Sequence, residues 1–442
     1  MPIKSITIKK SKSLKGEITV PGDKSISHRA IMLGSIAEGD SHISGFLEGE
    51  DNICTLNAFR LMGIEIERVK RGKLIIHGKG LNGLKEPLDV IDAGNSGTTT
   101  RLLTGLLAGQ NFLSVITGDE YLRKRPMKRV IGPLSRMGAV IHGRDKGNLA
   151  PLVIIGQRLK AMDYVSPIAS AQIKSAILLA GLFAEGITSV TEPVKSRDHT
   201  ERMLKTFGAD IKVEGLKIKI KGGSRIMAQD MDIPGDISSA AFFIVAGLIT
   251  RGSEVLIKNV GVNPTRTGII DMLKRMGGDI ELLNERELSG EPVADILIKS
   301  SSLKGIEIGS RDVPRAIDEF PILCIAASVA EGRTVVTGAS ELRVKESDRI
   351  ATMGMELKKI GVKVEELPDG MIIQGVQGFK RPAPAGSRQG ARVQSHGDHR
   401  VAMSMIVAGL VAGGGTKVED IKCIDTSFPG FLKKLSELGY RI

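Results

Sequence analysis

The stretch that decides the fold is residues 20–39, VPGDKSISHRAIMLGSIAEG. It follows an alternating strand at residues 17–20, which Pro21-Gly22 interrupts. Apolar residues then recur at helical spacing and predict a helix, with Gly39 as its C-cap. Both the opening phrase and the closing phrase of this stretch recur further along the chain.

Two short phrases mark an internal repeat. One is a glycine that follows a small or charged residue after an apolar helix, and it occurs at Gly39, Gly109, Gly186, Gly252, Gly332 and Gly413. The other is an apolar residue plus glycine after a Leu-rich helix, and it occurs at Gly63, Gly138, Gly208, Gly277, Gly361 and Gly439. Since the two markers interleave with one period, the chain is predicted to be six copies of one unit.

Each copy is predicted to be a βαβαββ unit. In the first copy, the strand at 17–20 and the helix precede a strand at 41–44 and a helix that ends at Gly63. Strands at 64–69 and 73–77 complete it. Six units exceed one hydrophobic core, and 442 residues correspond to two or three domains of about 100–200 residues.

The phrase at residues 20–23 returns at 233–236 and predicts the domain boundaries. We expect residues 22–232 to form one domain of three units. The other three units would combine residues 1–21 with 233–442. A ligand is expected in a cleft between these halves.

The composition favours a globular protein with an anionic small-molecule partner. The formal charge is +12, yet aromatic residues are only 3% and tryptophan is absent, which disfavours single-stranded nucleic acid. No apolar run is long enough to span a bilayer, and no secretory signal is evident. The widely spaced Cys54, Cys324 and Cys423 argue against a disulfide framework or zinc site and fit a reducing cytoplasm.

Helix starts carry the candidate binding residues. The glycine-containing phrases at 21–29 and 94–101 each open a helix, where free N–H groups attract anions. The ordinary alternative is a capped helix with solvated charges. A basic run at 123–129, of which we expect one or two cations to contact a ligand, and the phrases at 170–172 and 196–199 are weaker signals of the same kind.

Carboxylates join these cations later in the chain. Asp318 precedes an apolar helix, where an N-cap role is the ordinary alternative. The segments 343–349 and 397–400 mix acids with arginines. If the helix starts converge, several cations and a few carboxylates suit an anionic substrate pair and acid–base chemistry.

The phrases PGDKSISHR, GNSGTTTR, RKRPM, SAQ, SRDHT, IDEFP, RVKESDR, GDHR and TSFPGF together resemble the enolpyruvyl transferases, and within them the 5-enolpyruvylshikimate-3-phosphate synthases of the shikimate pathway. The resemblance runs along essentially the whole chain. It implies a two-domain inverse α/β barrel fold of six βαβαββ repeats that closes over its substrates. It also implies enolpyruvyl transfer from phosphoenolpyruvate to shikimate 3-phosphate without a metal or cofactor. We further expect a cytoplasmic monomer without a nucleic-acid partner.

The resemblance also assigns residues. The expected contacts of shikimate 3-phosphate are Lys24, Ser25, Arg29, Ser170, Gln172, Arg197, Asp318 and Lys345. Those of phosphoenolpyruvate are Lys24, Gly97, Arg125, Gln172, Arg349 and Arg400. Asp318 is the expected base for the hydroxyl, Glu346 the acid–base group at the methylene carbon, and Lys24 a shared electrostatic contact. Glyphosate is expected to compete with phosphoenolpyruvate, with sensitivity lost in Gly97→Ala.

Thr426, Ala171 and Glu341 depart from the first class of that family and resemble its second class, some members of which tolerate glyphosate. Two rival functions remain open at this point. One is enolpyruvyl transfer to UDP-N-acetylglucosamine, whose enzymes often carry a reactive loop cysteine. Cys54, which leads into a repeat helix, is interpreted as structural instead. The other is an RNA-binding or RNA-end-processing protein of similar repeats, which the low aromatic content disfavours.

Overall fold

A computed structural model describes residues 5–376 and 390–441, which divide into two compact units. The first unit is Gly22–Ile233 together with Glu287–Glu291. The second unit holds residues 5–21, Pro234–Arg286, 292–376 and 390–441. The boundaries therefore differ from those predicted by one residue at the second crossing, and by the tip at 287–291, which was expected in the other half.

The chain opens with two strands that belong to the second unit, β1 (Ser5–Ile8) and β2 (Lys15–Thr19). The first repeat then consists of α1 (Lys24–Ile36), β3 (Glu38–Ser44), α2 (Glu50–Leu61), β4 (Glu65–Lys70) and β5 (Lys73–Lys79). The second consists of β6 (Ile91–Asp92), α3 (Gly97–Ala108), β7 (Leu113–Thr117), α4 (Lys128–Arg136), β8 (Val140–Gly143), the short turn α5 (Arg144–Gly147) and β9 (Leu149–Ile155). The third consists of β10 (Leu159–Lys160), β11 (Asp163–Val165), α6 (Ala171–Gly181), β12 (Ala184–Glu185), β13 (Ile187–Thr191), α7 (His199–Thr206), β14 (Ile211–Glu214) and β15 (Lys217–Lys221), followed by β16 (Met231–Asp232).

The remaining repeats lie in the second unit. The fourth consists of α8 (Ile237–Ile249), β17 (Glu254–Gly261), α9 (Gly268–Arg275), β18 (Asp279–Leu288) and β19 (Glu291–Lys299). The fifth consists of β20 (Glu307–Ile308), α10 (Phe320–Val329), β21 (Arg333–Val336), α11 (Arg349–Lys359), β22 (Lys363–Leu367) and β23 (Gly370–Gln374). The sixth consists of β24 (Ala391–Gln394), α12 (His399–Gly409), β25 (Thr416–Glu419) and α13 (Phe431–Glu437).

Five repeats share one sheet order, shown by β6-β7-β9-β8 in the second repeat. The first strand pairs parallel with the second, and the hairpin strands pair antiparallel. The sixth sheet has three strands among the described residues, β1-β25-β24, and its helix α13 is followed by no hairpin there. The mixed α/β class is the predicted one, whereas a sixth complete βαβαββ unit is not what forms.

Two strands complete sheets far from their place in the sequence. The strand at residues 17–20 was predicted to begin the first repeat, but β2 pairs parallel with β17 of the fourth. The corresponding place in the first sheet is filled by β16, which pairs parallel with β3. The chain passes from one unit to the other directly after β2 and again directly after β16. Each of these strands therefore pairs with the sheet of the unit that the chain has occupied last: β2 with the second unit and β16 with the first.

One of the two glycine markers has the backbone geometry expected of a helix end. Each glycine of this marker follows a helix and has a φ angle between 82° and 98°, and the six are Gly63, Gly138, Gly208, Gly277, Gly361 and Gly439. Only glycine adopts this left-handed region without a steric cost. The other marker was wrong in its first copy, because α1 is capped by Ala37 and Gly39 lies inside β3.

The first helix of every repeat is the buried one. In the first unit these are α1, α3 and α6, and in the second unit α8, α10 and α12. Helix α8 (ISSAAFFIVAGLI) is apolar on all sides apart from its first turn, as a helix surrounded by protein must be. These helices supply each unit's core and carry the quoted motifs at their N-termini. None of the helices in the described chain is long and apolar enough to cross a membrane.

Candidate active site

The start of α1 holds a lysine in an acidic pocket of the first unit. Asp23 caps the helix by accepting a hydrogen bond from the Ile26 amide at 2.9 Å. Lys24, the first helical residue, forms an ion pair with Asp51 of α2, and both side chains are mostly buried. The Lys24 ammonium is thereby fixed beside the positive end of the helix.

Two arginines meet above the start of α3. Ser96 caps this helix, and Gly97 is its first residue. A Cβ atom at Gly97 would lie 2.6 Å from Nη1 of Arg101 and 2.8 Å from Nη1 of Arg125. Nη1 of Arg101 donates to Oε1 of Gln172 at 3.0 Å. A glycine at a helix start beneath two guanidinium groups is a suitable site for a phosphate or carboxylate.

The remaining predicted residues of the first unit surround α6 and α7. Ser170 caps α6, with its hydroxyl accepting from the Ile173 amide at 3.5 Å. Arg29 is only 5% exposed, and it donates to the Ser25 carbonyl at 2.9 Å and to the Thr200 hydroxyl at 2.6 Å. Arg197 is half-buried in the loop before α7. Their contacts with substrate stay predictions.

A buried arginine organises the candidate site of the second unit. The Arg349 side chain is 1% exposed and begins α11. Its Nε donates to Oδ2 of Asp398 at 2.8 Å, and its Nη2 donates to Oε2 of Glu346 at 2.7 Å. Nη1 lies 3.4 Å from Oδ1 of Asp318. Both proposed catalytic carboxylates therefore contact one guanidinium.

This cluster shifts the pKa of its most buried members. Burial by itself would lower the pKa of Arg349, but Asp398, Glu346 and Asp318 outweigh it and raise that pKa above its usual value. Burial likewise works against ionisation of Asp398, yet the Arg349 guanidinium holds the pKa of Asp398 below its usual range. Arg349 and Asp398 thus form a fixed ion pair that anchors the starts of α11 and α12.

Two further predicted cations border Asp318. The Lys345 ammonium lies 3.9 Å from Oδ1, and Nη2 of Arg400 lies 3.9 Å from Oδ2. The alternative role of Asp318 as a helix cap does not hold, because Glu319, not Asp318, occupies the N-cap position of α10. Asp318 is 17% exposed, which leaves its carboxylate accessible from solvent.

In the second unit, the structure brings all five predicted residues together around Asp318 and Arg349. In the first unit, it brings Gly97, Arg125 and Gln172 together around Arg101. Arg101 and Asp398 lie in the phrases at 94–101 and 397–400 but had no predicted role, although Arg101 borders Gly97 and Asp398 binds Arg349. Asp51 was not singled out. The signal in Arg101 was present, since it follows Gly97 by one helical turn and so lies on the same helix face.

The other candidate chemistries find little support. Along the described chain, the one group with metal-ligand spacing is Glu65, Glu67 and His77 on exposed strands. The His77 nitrogens contact Asp40 at 2.8 Å and Glu67 at 3.3 Å, which accounts for this cluster as a surface ion pair. Cys54 lies inside α2 rather than before it, and burial raises its pKa to about 12.

Known proteins that are similar to this chain belong to the family that its motifs resemble. The family model described as EPSP synthase (3-phosphoshikimate 1-carboxyvinyltransferase) matches residues 8–435. The 3-phosphoshikimate 1-carboxyvinyltransferase of Geobacter metallireducens is 60% identical over 99% of this chain and 100% of that protein. The one of Geotalea uraniireducens is 60% identical, over 99% of each chain.

Solved structures agree in fold. EPSP synthase from Acinetobacter baumannii superimposes with a TM-score of 0.86 at 51% identity, covering 99% of this chain and 98% of that one. The enolpyruvyl transferase NikO from Streptomyces tendae has a TM-score of 0.77 at 17% identity, over 99% and 98% of the two chains, and is similar in fold alone. The match of the family model to nearly every residue, together with the identity to curated relatives, places this chain in the EPSP synthase (3-phosphoshikimate 1-carboxyvinyltransferase) family.

Proposed function

We propose that this chain transfers the enolpyruvyl group of phosphoenolpyruvate to the 5-hydroxyl of shikimate 3-phosphate and releases phosphate. The observation that carries the proposal is the grouping of Asp318 and Glu346 around the buried Arg349. The reaction needs two groups that exchange protons at different atoms of the substrates. Two carboxylates fixed on one guanidinium meet that need.

The proton traffic assigns the two carboxylates. In the addition, Asp318 accepts the proton of the 5-hydroxyl while the hydroxyl oxygen of shikimate 3-phosphate bonds to C2 of phosphoenolpyruvate. The methylene carbon of phosphoenolpyruvate gains a proton from Glu346. In the elimination, Glu346 removes a proton from the new methyl group as the C2–phosphate bond breaks, and the proton held by Asp318 passes to the departing phosphate. Inorganic phosphate leaves, and the enol ether remains at the 5-oxygen of the shikimate ring. No group outside the two substrates is consumed.

The cations of the first unit are proposed to hold the anionic groups. Gly97 and Arg125 at the start of α3 are assigned to phosphoenolpyruvate, with Gln172 from α6 beside them. Arg101 is proposed in addition, because its guanidinium adjoins Gly97 and donates to Gln172. A ligand phosphate at this position would contact the N–H groups of the helix start and the guanidinium groups of Arg101 and Arg125. Lys24 supplies a further positive charge to both substrates.

Shikimate 3-phosphate is assigned to residues of both units. Ser25, Arg29, Ser170 and Arg197 belong to the first unit. Lys345 and Asp318 belong to the second, alongside Arg349 and Arg400 for phosphoenolpyruvate. The proposal therefore requires that the two sets of residues act on one pair of substrates.

Phosphate release from phosphoenolpyruvate tests the proposal. Shikimate 3-phosphate and UDP-N-acetylglucosamine are offered in parallel as acceptors, with Asp318→Asn as the matched inactive control. We expect release with shikimate 3-phosphate alone. Release with the nucleotide sugar would establish the rival acceptor, while retention of RNA at physiological salt without any turnover would favour the RNA function.

We further propose a monomer in the cytoplasm that binds no nucleic acid. The free state of Cys54, Cys324 and Cys423 supports a reducing compartment. Light scattering during size-exclusion chromatography checks the monomer, and a stable dimer would refute it.

A further inference from the structure

The loop that carries Arg197 rests on a buried ionic network. It joins β13 to α7 and contains Glu192 and Ser196. The carboxylate of Glu192 accepts from the Ser196 amide at 3.3 Å, and also from the Ser196 hydroxyl. Both ends of the bend before Arg197 are thereby tied to one side chain.

Glu192 is in turn fixed by a lysine of α6. Nζ of Lys174 lies 2.7 Å from Oε2 of Glu192 and 2.7 Å from Oε1 of Glu201 on α7. The exposed fractions of these three side chains are 1%, 1% and 5%. Two carboxylates share one ammonium in the interior, an arrangement that is expensive to bury and gains little stability over apolar packing.

The network connects to predicted substrate contacts on two sides. The Lys174 amide donates to the Ser170 carbonyl at 3.0 Å, one turn from the start of α6. Ser175, the next residue, donates to or accepts from Thr200 at 2.6 Å and accepts from Nη2 of Arg29 at 2.8 Å. The buried ion group is therefore linked to the first turn of α6, which Ser170 caps, and to the bend that precedes Arg197.

We propose that Glu192 is a positioning residue for shikimate 3-phosphate binding, acting by holding the 192–196 bend so that Arg197 faces the substrate. This inference rests on the proposed function and on the assignment of Arg197. Glu192 itself touches no reacting atom. Its two oxygens accept from the Ser196 amide, the Ser196 hydroxyl and Lys174, whereas a neutral amide has one accepting oxygen and no charge to balance the Lys174 ammonium.

The test is Glu192→Gln in the full chain, with Glu201→Gln as the matched control. The control removes the second carboxylate on the same lysine, but from α7 instead of the bend. We expect the KM for shikimate 3-phosphate to rise between about 10-fold and 100-fold in Glu192→Gln, since small displacements of a binding group have effects of that size. The KM for phosphoenolpyruvate and kcat at saturation are expected to change less than about 2-fold, because the loss of a ground-state contact raises KM and leaves kcat unchanged.

A double-variant cycle shows whether the effect passes through Arg197. In the Arg197→Ala background, Glu192→Gln is expected to add no further increase in KM. An unchanged KM in Glu192→Gln, an equal rise in Glu201→Gln, or an additive rise in the double variant would each overturn the inference. If the melting temperature shows that Glu192→Gln does not fold, Ser196→Ala takes its place. That variant removes one hydrogen bond to Glu192 and must also raise the KM for shikimate 3-phosphate.

Failure of the proposed function has a different signature. In that case the unaltered chain would not release phosphate with shikimate 3-phosphate at all. If it turns over but Arg197→Ala binds shikimate 3-phosphate normally, then the assignment of Arg197 is wrong and the inference on Glu192 is overturned with it.

Discussion

Replacement of Gly97 by alanine perturbs the anion site at the start of α3. The new methyl carbon would lie 2.6 Å from Nη1 of Arg101 and 2.8 Å from Nη1 of Arg125, whereas ordinary contact begins at 3.4 Å. Each guanidinium must therefore withdraw by about 0.6–0.8 Å. Both are the ends of long side chains, so the helix itself can remain in place.

The displacement has a larger effect on ligands than the sequence predicts. From the sequence, the methyl group was expected to collide mainly with glyphosate, which is longer than phosphoenolpyruvate. Because both arginines must move, phosphoenolpyruvate also loses well-aligned contacts, and we expect its KM to rise about 10-fold to 100-fold. The inhibition constant of glyphosate is expected to rise by a further 10–200-fold or so, corresponding to about 1–3 kcal/mol for one methyl group.

The assay is steady-state phosphate release with phosphoenolpyruvate varied at several glyphosate concentrations. Gly132→Ala is the control, because a Cβ there would meet nothing within 4 Å and α4 is otherwise unchanged. We expect this control to retain both constants. If Gly97→Ala kept the original KM, the two guanidinium groups would not contact phosphoenolpyruvate. If the unaltered chain already resisted millimolar glyphosate, Gly97 would not control sensitivity.

Three other predictions concern the two proposed catalytic carboxylates, the thiol of Cys54 and the carboxylate of Asp398. Asp318→Asn and Glu346→Gln should each lower kcat by about 10²–10⁴-fold, with substrate binding by calorimetry largely retained; near-normal turnover would remove that residue from the mechanism. The pKa of Cys54, raised to about 12 by burial, keeps its thiol protonated at pH 7.5, so iodoacetamide should leave activity intact; rapid inactivation relieved in Cys54→Ser would contradict this. The lowered pKa of Asp398 means that its stabilisation is complete above the unfolded value of about 3.9 and is lost as the pH falls through the folded value; urea unfolding between pH 3 and 7 should therefore show a shallower acid dependence in Asp398→Asn.

The sequence predicts the repeats because each repeat must solve the same local problem. A helix that ends in a left-handed turn needs glycine, and all six glycines of the second marker have that geometry. The exchange of β2 and β16 could not be predicted in the same way. Strand pairing between segments about 200 residues apart leaves no local periodicity, and residues 17–20 are an acceptable edge strand for either sheet.

The candidate site was predictable as residue types but not as pairings. The motif at 343–349 shows acids and bases close in sequence, yet it does not reveal that Arg349 turns inward to Asp398 of another repeat. The alternative interpretation of Asp318 as a helix cap was wrong because the helix begins two residues later. By contrast, the phrase at 427–431 owes its pattern to packing, since Phe428 and Phe431 contact Phe243 in the core.

A comparison of the first and fourth repeats shows what makes a helix start functional. Both open with Pro-Gly-Asp, and in both the aspartate caps the helix, through Ile26 in α1 and Ser238 in α8. In α8, the cap Asp236 pairs with the buried Arg266 at 3.1 Å, and Ser238 donates to Glu319. The polar groups of that start are thus bound by Arg266 of the same repeat and by Glu319, which precedes α10 of the fifth repeat. In α1 the residue after the cap is Lys24 instead of Ile237, so the same backbone presents a charge. The shared phrase therefore specifies the turn, and the residue that follows it specifies whether the turn carries a charge.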